Sequence, residues 1–170
     1  EIESIDIDTA HDWAKAESAL RQKRIAVFVT GNETIGLGHL YRQLTLYDHF
    51  AKHDVCFFCP KDDTLIQKIL ADKFIKVEPF DATSVGDRLK EFGPDIIIND
   101  VLDDWVELID AQSATKARVL VFETEAHAPD FEYEVINALY PVQHSNDRVG
   151  PDWFVLRPEF LLVKPKAVAD

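Results

Sequence analysis

The stretch 24–50 reads RIAVFVTGNETIGLGHLYRQLTLYDHF and decides the fold of this chain. Its apolar run, Ile25–Val29, is typical of a strand buried on both faces. Gly36 and Gly38 then precede His39, and the residues that follow space their apolar side chains as an amphipathic helix does. A strand, a glycine-rich turn and a helix aim backbone N–H groups at one point, where the helix dipole favours an anion by roughly 0.3–1 kcal/mol. Within this turn only His39 titrates near neutral pH.

Two common glycine-rich loops fit this stretch poorly. A phosphate-binding Walker loop needs a lysine where Leu37 stands. A dinucleotide fingerprint starting at Gly36 has Tyr41 where a third small residue must let the helix approach the strand. A nicotinamide enzyme would also need a ribose-binding acid after the second strand, where Cys59 and Pro60 stand instead.

The composition limits the classes of function. A chain of 170 residues can bury a full core, and one domain is the default. The formal charge of −13 argues against binding to nucleic acids or acidic membranes, because their phosphates would be repelled. No apolar run approaches the ~20 residues of a membrane span, and we expect no signal peptide and a cytoplasmic protein. The sequence has no methionine, and we expect Glu1 to begin an excised piece of a longer chain.

Apolar strands alternate with helices along the rest of the sequence. This alternation predicts an α/β, Rossmann-like three-layer domain with a mostly parallel sheet. The predicted strands are 25–29, 54–59, 74–77, 96–98, 119–122 and 133–136, and the predicted helices after the glycine-rich turn include 64–71, 86–92 and 103–111.

Three segments of the chain resemble one known family. The segment 35–42, IGLGHLYR, resembles the first loop of the UDP-sugar hydrolases of pseudaminic acid synthesis, which group with spore-coat polysaccharide proteins. The segment 95–100, DIIIND, resembles the fourth strand of that family, and 154–160, FVLRPEF, resembles the end of its first half. The resemblance implies one half of a glycosyltransferase B-type fold over residues 23–160, with 161–170 as a linker toward a second domain.

The resemblance also implies a reaction and a set of site residues. In that family water attacks the anomeric carbon of a nucleotide-linked amino sugar, and UDP departs with inversion. The histidine that His39 matches is the catalytic base or orients the water, and no cofactor is needed. The residues expected to bind the substrate are Gly36, Gly38, Arg42, Asp100, Glu123 and Glu125.

The sequence departs from the family at two strand ends. Asp100 is followed by Val101 and Leu102 instead of His-Tyr, and the usual paired aspartates are replaced by residues 123–125, ETE. The uridine-diphosphate contacts of such folds come chiefly from the second domain. We therefore expect the isolated piece to be inactive, and keep as the alternative a non-catalytic sugar-binding or scaffolding module of the same fold.

Residues 1–22 resemble the end of a CMP-sialic acid synthetase, a cytidylyltransferase. The segment 6–9, DIDT, matches the run that precedes its final helix, and helix capping at Asp8 or Thr9 is expected. The resemblance implies Asp6 and Asp8 as contributors to a Mg²⁺ site in an intact upstream domain. The implied partners are the upstream and downstream domains of the same chain and a nucleotide-activated amino sugar.

The two cysteines form a CxxC pair, Cys56 and Cys59. A redox or zinc site needs such a pair on a turn. Here the surrounding residues indicate a strand, on which positions three apart face opposite sides, so we interpret both as buried core thiols.

Overall fold

A computed structural model describes residues 6–32, 34–101, 106–124, 132–139 and 148–161. Within these ranges, seven strands form one sheet in the order β3-β2-β1-β4-β5-β6-β7, and every neighbouring pair is parallel. The strands are β1 (Arg24–Val29), β2 (Asp54–Pro60), β3 (Val77–Phe80), β4 (Ile96–Asp100), β5 (Arg118–Phe122), β6 (Glu134–Asn137) and β7 (Arg148–Val149). The helices are α1 (Ala10–Arg21), α2 (Gly38–Tyr47), α3 (Thr64–Asp72), α4 (Val85–Phe92), α5 (Val106–Ser113) and α6 (Pro158–Leu161). None of the described helices is long and apolar enough to span a membrane.

The sheet is covered on both faces, which gives the predicted three layers. On one face, Leu40 of α2 and Leu70 of α3 pack in a core with alternate residues of β1 and β2. On the other face, Leu89 of α4 and Leu108 of α5 pack in a second core. Because both faces are buried, the middle residues of the central strands are apolar, and the polar residues Asn99 and Asp100 come only at the carboxyl end of β4.

The strand order reverses beside β1. This strand pairs with β2 on one side and with β4 on the other. The chain therefore leaves β1 toward one half of the sheet and later returns to build the other half. In open parallel sheets, a crevice forms at such a reversal, beyond the carboxyl ends of the strands. The glycine-rich loop after β1 and Asp100 at the end of β4 both lie there.

Strand β3 begins three residues later than the predicted 74–77. Phe74 has a left-handed backbone with a φ of 59° and makes the turn that ends α3, so it cannot lie in a strand. The strand contains Pro79, which a strand at the edge of a sheet tolerates. Other predicted ends shift by one or two residues: β4 runs to Asp100, α5 to Ser113 and β6 to Asn137. The predicted start of α5 lies outside the described residues.

Helix α1 forms as predicted, with its cap at Thr9. The Thr9 hydroxyl caps it in a reciprocal capping box with Asp12. Its apolar side is uncovered among the described residues, with Trp13 62% and Leu20 84% exposed.

The two cysteines are core thiols, as predicted. Cys56 and Cys59 are buried on opposite faces of β2. Burial raises the pKa of each thiol to about 12. Both thiols are therefore protonated at neutral pH and are poor nucleophiles or metal ligands.

Candidate functional site

The loop between β1 and α2 folds tightly back on itself. A Cβ atom on Gly31 would lie 2.8 Å from the carbonyl oxygen of Gly36, so only glycine fits at position 31. Gly36 has a φ of 83°, and its N–H donates to the Asn32 carbonyl oxygen. The buried Asp63 carboxylate accepts the Gly31 N–H at 3.1 Å and anchors the loop to the start of α3. These contacts fix the point at which α2 begins.

His39 and Asp100 form a hydrogen-bonded pair across the sheet reversal. The second residue of α2 is His39, and its Nδ1 lies 2.7 Å from Oδ1 of Asp100 at the end of β4. The Asp100 side chain is fully buried, whereas the His39 side chain keeps 19% of its surface exposed. The carboxylate therefore lies behind the imidazole, which faces solvent.

Two further side chains of α2 hold the same carboxylate. Arg42 donates from Nε to Oδ2 at 2.8 Å and from Nη2 to Oδ1, a bidentate pair. Gln43 donates from Nε2 to Oδ2 at 2.6 Å. Burial alone would raise the pKa of Asp100, but the hydrogen bonds from Arg42, His39 and Gln43 outweigh it and lower that pKa. Asp100 is therefore ionised at neutral pH.

The ionised carboxylate determines the tautomer of His39. A carboxylate only accepts hydrogen bonds, so Nδ1 carries the proton and donates it to Asp100. Nε2 then keeps its lone pair. It has no hydrogen-bond partner within the described ranges. An imidazole in this state can take a proton from a water molecule.

Glu123, which follows β5, helps to hold Arg42 in position. It follows β5 with a left-handed φ of 49°, and its Oε1 lies 3.3 Å from Nη1 of Arg42. The same oxygen accepts the Ala138 N–H at 3.2 Å, and Oε2 accepts the Leu139 N–H at 3.1 Å. Both carboxylate oxygens of Glu123 therefore accept hydrogen bonds from the protein itself, which indicates that Glu123 positions Arg42.

An open cavity of about 510 Å³ lies above this cluster. The start of α2 and the segment before α6 both contribute to its lining. The side chains and backbone that line it belong to Gly38, His39, Tyr41, Arg42, Glu123, Leu139, Val155 and Arg157.

The structure brings most of the predicted site residues together. His39, Arg42, Asp100 and Glu123 form one hydrogen-bonded cluster, and Gly38 lines the cavity beside it. Gly36 shapes the loop but is not among the residues that line the cavity. Glu125 lies outside the described residues.

The predicted metal ligands lie elsewhere. Asp6 and Asp8 are exposed just before α1. No group of three or more His, Cys, Asp or Glu side chains suited to a metal ion occurs in the described part of the chain. The Mg²⁺ site of an intact upstream domain stays a prediction.

The sequence prediction missed two polar residues of the site. Gln43 is buried and holds Asp100, and Arg157 lines the cavity from the far end of the domain. The signal for Gln43 was its spacing, because it lies three residues after the buried Leu40, on the apolar side of α2. Arg157 lies in the segment 154–160 that carries part of the resemblance, but no pattern in the sequence predicts that this segment lies beside α2.

The comparisons with known proteins support the fold. No protein-family model matches the chain. An uncharacterized protein of Methanocaldococcus jannaschii, MJ1062, is 26% identical over 165 residues, which cover 86% of this chain. The chain spans about a third of that relative, 33% of its length.

Among solved structures, the crystal structure of Acinetobacter baumannii MurG is similar to this chain with a TM-score of 0.59 and 12% sequence identity. The match covers 75% of this chain and 44% of the MurG chain. MurG has the glycosyltransferase B fold, and this chain has the Rossmann-like architecture of one half of such a fold. At this identity the likeness shows the fold alone.

Proposed function

We propose that this domain is the catalytic-histidine half of an enzyme that hydrolyses a nucleotide-activated amino sugar. The observation that carries the proposal is the His39–Asp100 pair, 2.7 Å apart, at the edge of an open cavity. The glycosyltransferase B-type fold supports a sugar nucleotide as the substrate class. The likeness of residues 35–42 to the loop of the UDP-sugar hydrolases supports hydrolysis.

In the proposed reaction, Nε2 of His39 accepts a proton from a water molecule in the cavity. The water oxygen forms a bond to the anomeric carbon, and the bond between that carbon and the diphosphate oxygen breaks. The bonding pair leaves with UDP, and attack from the opposite face inverts the configuration. Asp100 stabilises the imidazolium that forms, as a buried carboxylate does in other histidine-based sites.

Arg42, Gln43 and Glu123 take positioning roles in this proposal. Arg42 and Gln43 occupy the remaining acceptor positions of Asp100 and keep it ionised. Glu123 holds Arg42 in place. These residues act through Asp100 and His39 and need no contact with the sugar.

We further propose that the natural chain joins this domain to a CMP-sialic acid synthetase-like domain upstream. The likeness of residues 6–9 to the end of such enzymes supports this. Asp6 and Asp8 would then help to hold Mg²⁺ in that upstream domain, and a downstream domain would supply most of the uridine-diphosphate contacts. A cytoplasmic location would suit enzymes that use nucleotide-activated sugars.

The test uses the full-length natural chain. Incubation with a UDP-linked diacetamido-trideoxy sugar, followed by ³¹P NMR, should show release of UDP. His39→Ala should slow the release by about 10²- to 10⁴-fold, the usual contribution of a general base. His49→Ala, at an exposed histidine outside the site, is the matched control and should leave the rate unchanged. Undiminished release in His39→Ala would refute the proposed role.

The second candidate is a binding module without turnover. Three large apolar side chains at or near the cavity, Tyr41, Leu139 and Leu156, are exposed, which is usual for a surface that binds another domain or a ligand. The same experiment separates the two candidates. Chemical-shift changes on addition of the sugar nucleotide, with no release of UDP, would establish the binding module.

A further inference from the structure

Arg157 occupies a position shared by two neighbouring cavities. It lies just before α6 and lines the cavity that contains His39. It also lines a second cavity of about 480 Å³, where Lys73 is on the wall. Tyr41 lines both cavities as well, so Tyr41 and Arg157 form the divide between them.

The guanidinium group of Arg157 has unused hydrogen-bond donors. Within the described ranges its side chain makes no ion pair or hydrogen bond, and its only side-chain partner is the ring of Phe160, 4.9 Å from Cζ. This contact leaves the N–H groups of the guanidinium without an oxygen acceptor among the described residues. Arg42, the other arginine of the cavity, is already bound to Asp100 and Glu123.

Among the described arginines, Arg24 and Arg157 form no ion pair through their side chains, and of these two only Arg157 lines the cavity that contains His39. Arg157 is exposed, in a chain in which acidic residues outnumber lysine and arginine by 31 to 18. The edge of the Arg157 guanidinium carries paired N–H donors, and their spacing matches that of two oxygens of a phosphate or a carboxylate. A ligand with such a group could bind beside His39 without disturbing Arg42.

We propose that Arg157 binds the anionic group of the substrate in the cavity that contains His39. The inference rests on the proposed function and extends it by naming the residue that recognises the charge. The shared chemistry is a pair of oxygens held by the guanidinium edge. Its source is either the diphosphate of a sugar nucleotide or the carboxylate of an acidic sugar, and the test separates these.

The experiment measures binding to the full-length natural chain by calorimetry, with UDP, inorganic pyrophosphate and free N-acetylneuraminic acid as probes. Arg157→Gln should raise the Kd of the recognised anion by about tenfold to a hundredfold, the usual effect of losing a charge-assisted pair. Arg157→Lys keeps the charge without the planar edge and should recover only part of the affinity.

Two matched controls remove a positive charge elsewhere. Arg148 also stacks on an aromatic ring, that of Trp153 at 4.9 Å, but it pairs with Glu134 and lies away from the cavity. Lys73 lines the second cavity only. Arg148→Gln and Lys73→Gln should each change the Kd less than twofold. All variants are compared in the same full-length chain, so a change in Kd that occurs only in Arg157→Gln reports on Arg157.

Each outcome decides the inference. A selective loss of UDP and pyrophosphate binding in Arg157→Gln identifies the diphosphate, and a selective loss of N-acetylneuraminic acid binding identifies the carboxylate. Equal affinities for Arg157→Gln and Arg148→Gln with all three probes would overturn the inference, even if His39-dependent release of UDP holds. An equal loss in Lys73→Gln would overturn the assignment to this cavity. Anion binding that depends on Arg157 without any release of UDP would support the inference and refute the hydrolase.

Discussion

Asp100 is the residue on which the site depends. Its buried carboxylate accepts hydrogen bonds from His39, Arg42 and Gln43, all from the first turns of α2. A buried carboxylate with such partners stays ionised, and here the partners lower its pKa despite burial. The negative charge of Asp100 therefore has two roles. It fixes the tautomer of His39, and it holds α2 against β4.

Asp100→Asn should destabilise the protein in a pH-dependent way. At pH 7 we expect a loss of roughly 3–5 kcal/mol in the free energy of unfolding, because Arg42 would be left beside a neutral amide. The lowered native pKa stabilises the fold fully above about pH 4, the unfolded value for aspartate, and this contribution is lost as pH falls further toward the native pKa. The difference between wild type and variant should therefore shrink below that pH.

Urea unfolding at a series of pH values measures this difference. Asp72→Asn, at an exposed aspartate of α3, is the matched control and should change stability little at any pH. A difference between wild type and Asp100→Asn that stays constant down to pH 3 would contradict the ionised state of Asp100.

The glycine-rich loop and α2 act as one element. The loop turns sharply because Gly31 lies against the backbone of Gly36, and α2 begins immediately afterwards. The position of His39 on the second residue of the helix depends on this turn. A change in the loop should therefore affect the site as well as stability.

Gly31→Ala and Gly86→Ala should have opposite effects on stability. The new methyl group at position 31 meets a backbone oxygen at 2.8 Å, so we expect a loss of about 1–3 kcal/mol. Gly86, within α4, has open space where a methyl group would lie, and alanine there should add up to about 1 kcal/mol. Urea unfolding of both variants gives the comparison. Equal effects of the same sign would contradict the tight packing of the loop.

At the scale of the whole molecule, much of the fold could be predicted from the sequence. The apolar strands and the alternation with helices indicate a parallel sheet covered on both faces, because side chains buried on both sides must all be apolar. The glycine pattern at Gly36 and Gly38 marks the loop. The edge strand β3 was misplaced, since a left-handed Phe74 has no local signal.

The connections within the site were less predictable. His39, Asp100 and Glu123 were predicted from the resemblance to a known family, and each lies at or after the carboxyl end of a strand, at one edge of the sheet. The sequence does not show that Glu123 accepts hydrogen bonds from Arg42 and from two backbone N–H groups. Nor does it show that the side chain of Gln43 is buried and donates to Asp100. Arg157 reaches the cavity only through the path of the chain after β7.

The central claim is that the fold pairs His39 with an Asp100 that lies 61 residues away and thereby leaves Nε2 free. The most direct measurement is long-range ¹H–¹⁵N NMR of ¹⁵N-histidine-labelled full-length protein at about pH 8. Comparison with His39→Gln identifies the His39 signals. The account predicts a protonated Nδ1 and an unprotonated Nε2, and that Asp100→Asn removes this preference. A His39 protonated on Nε2 would contradict it.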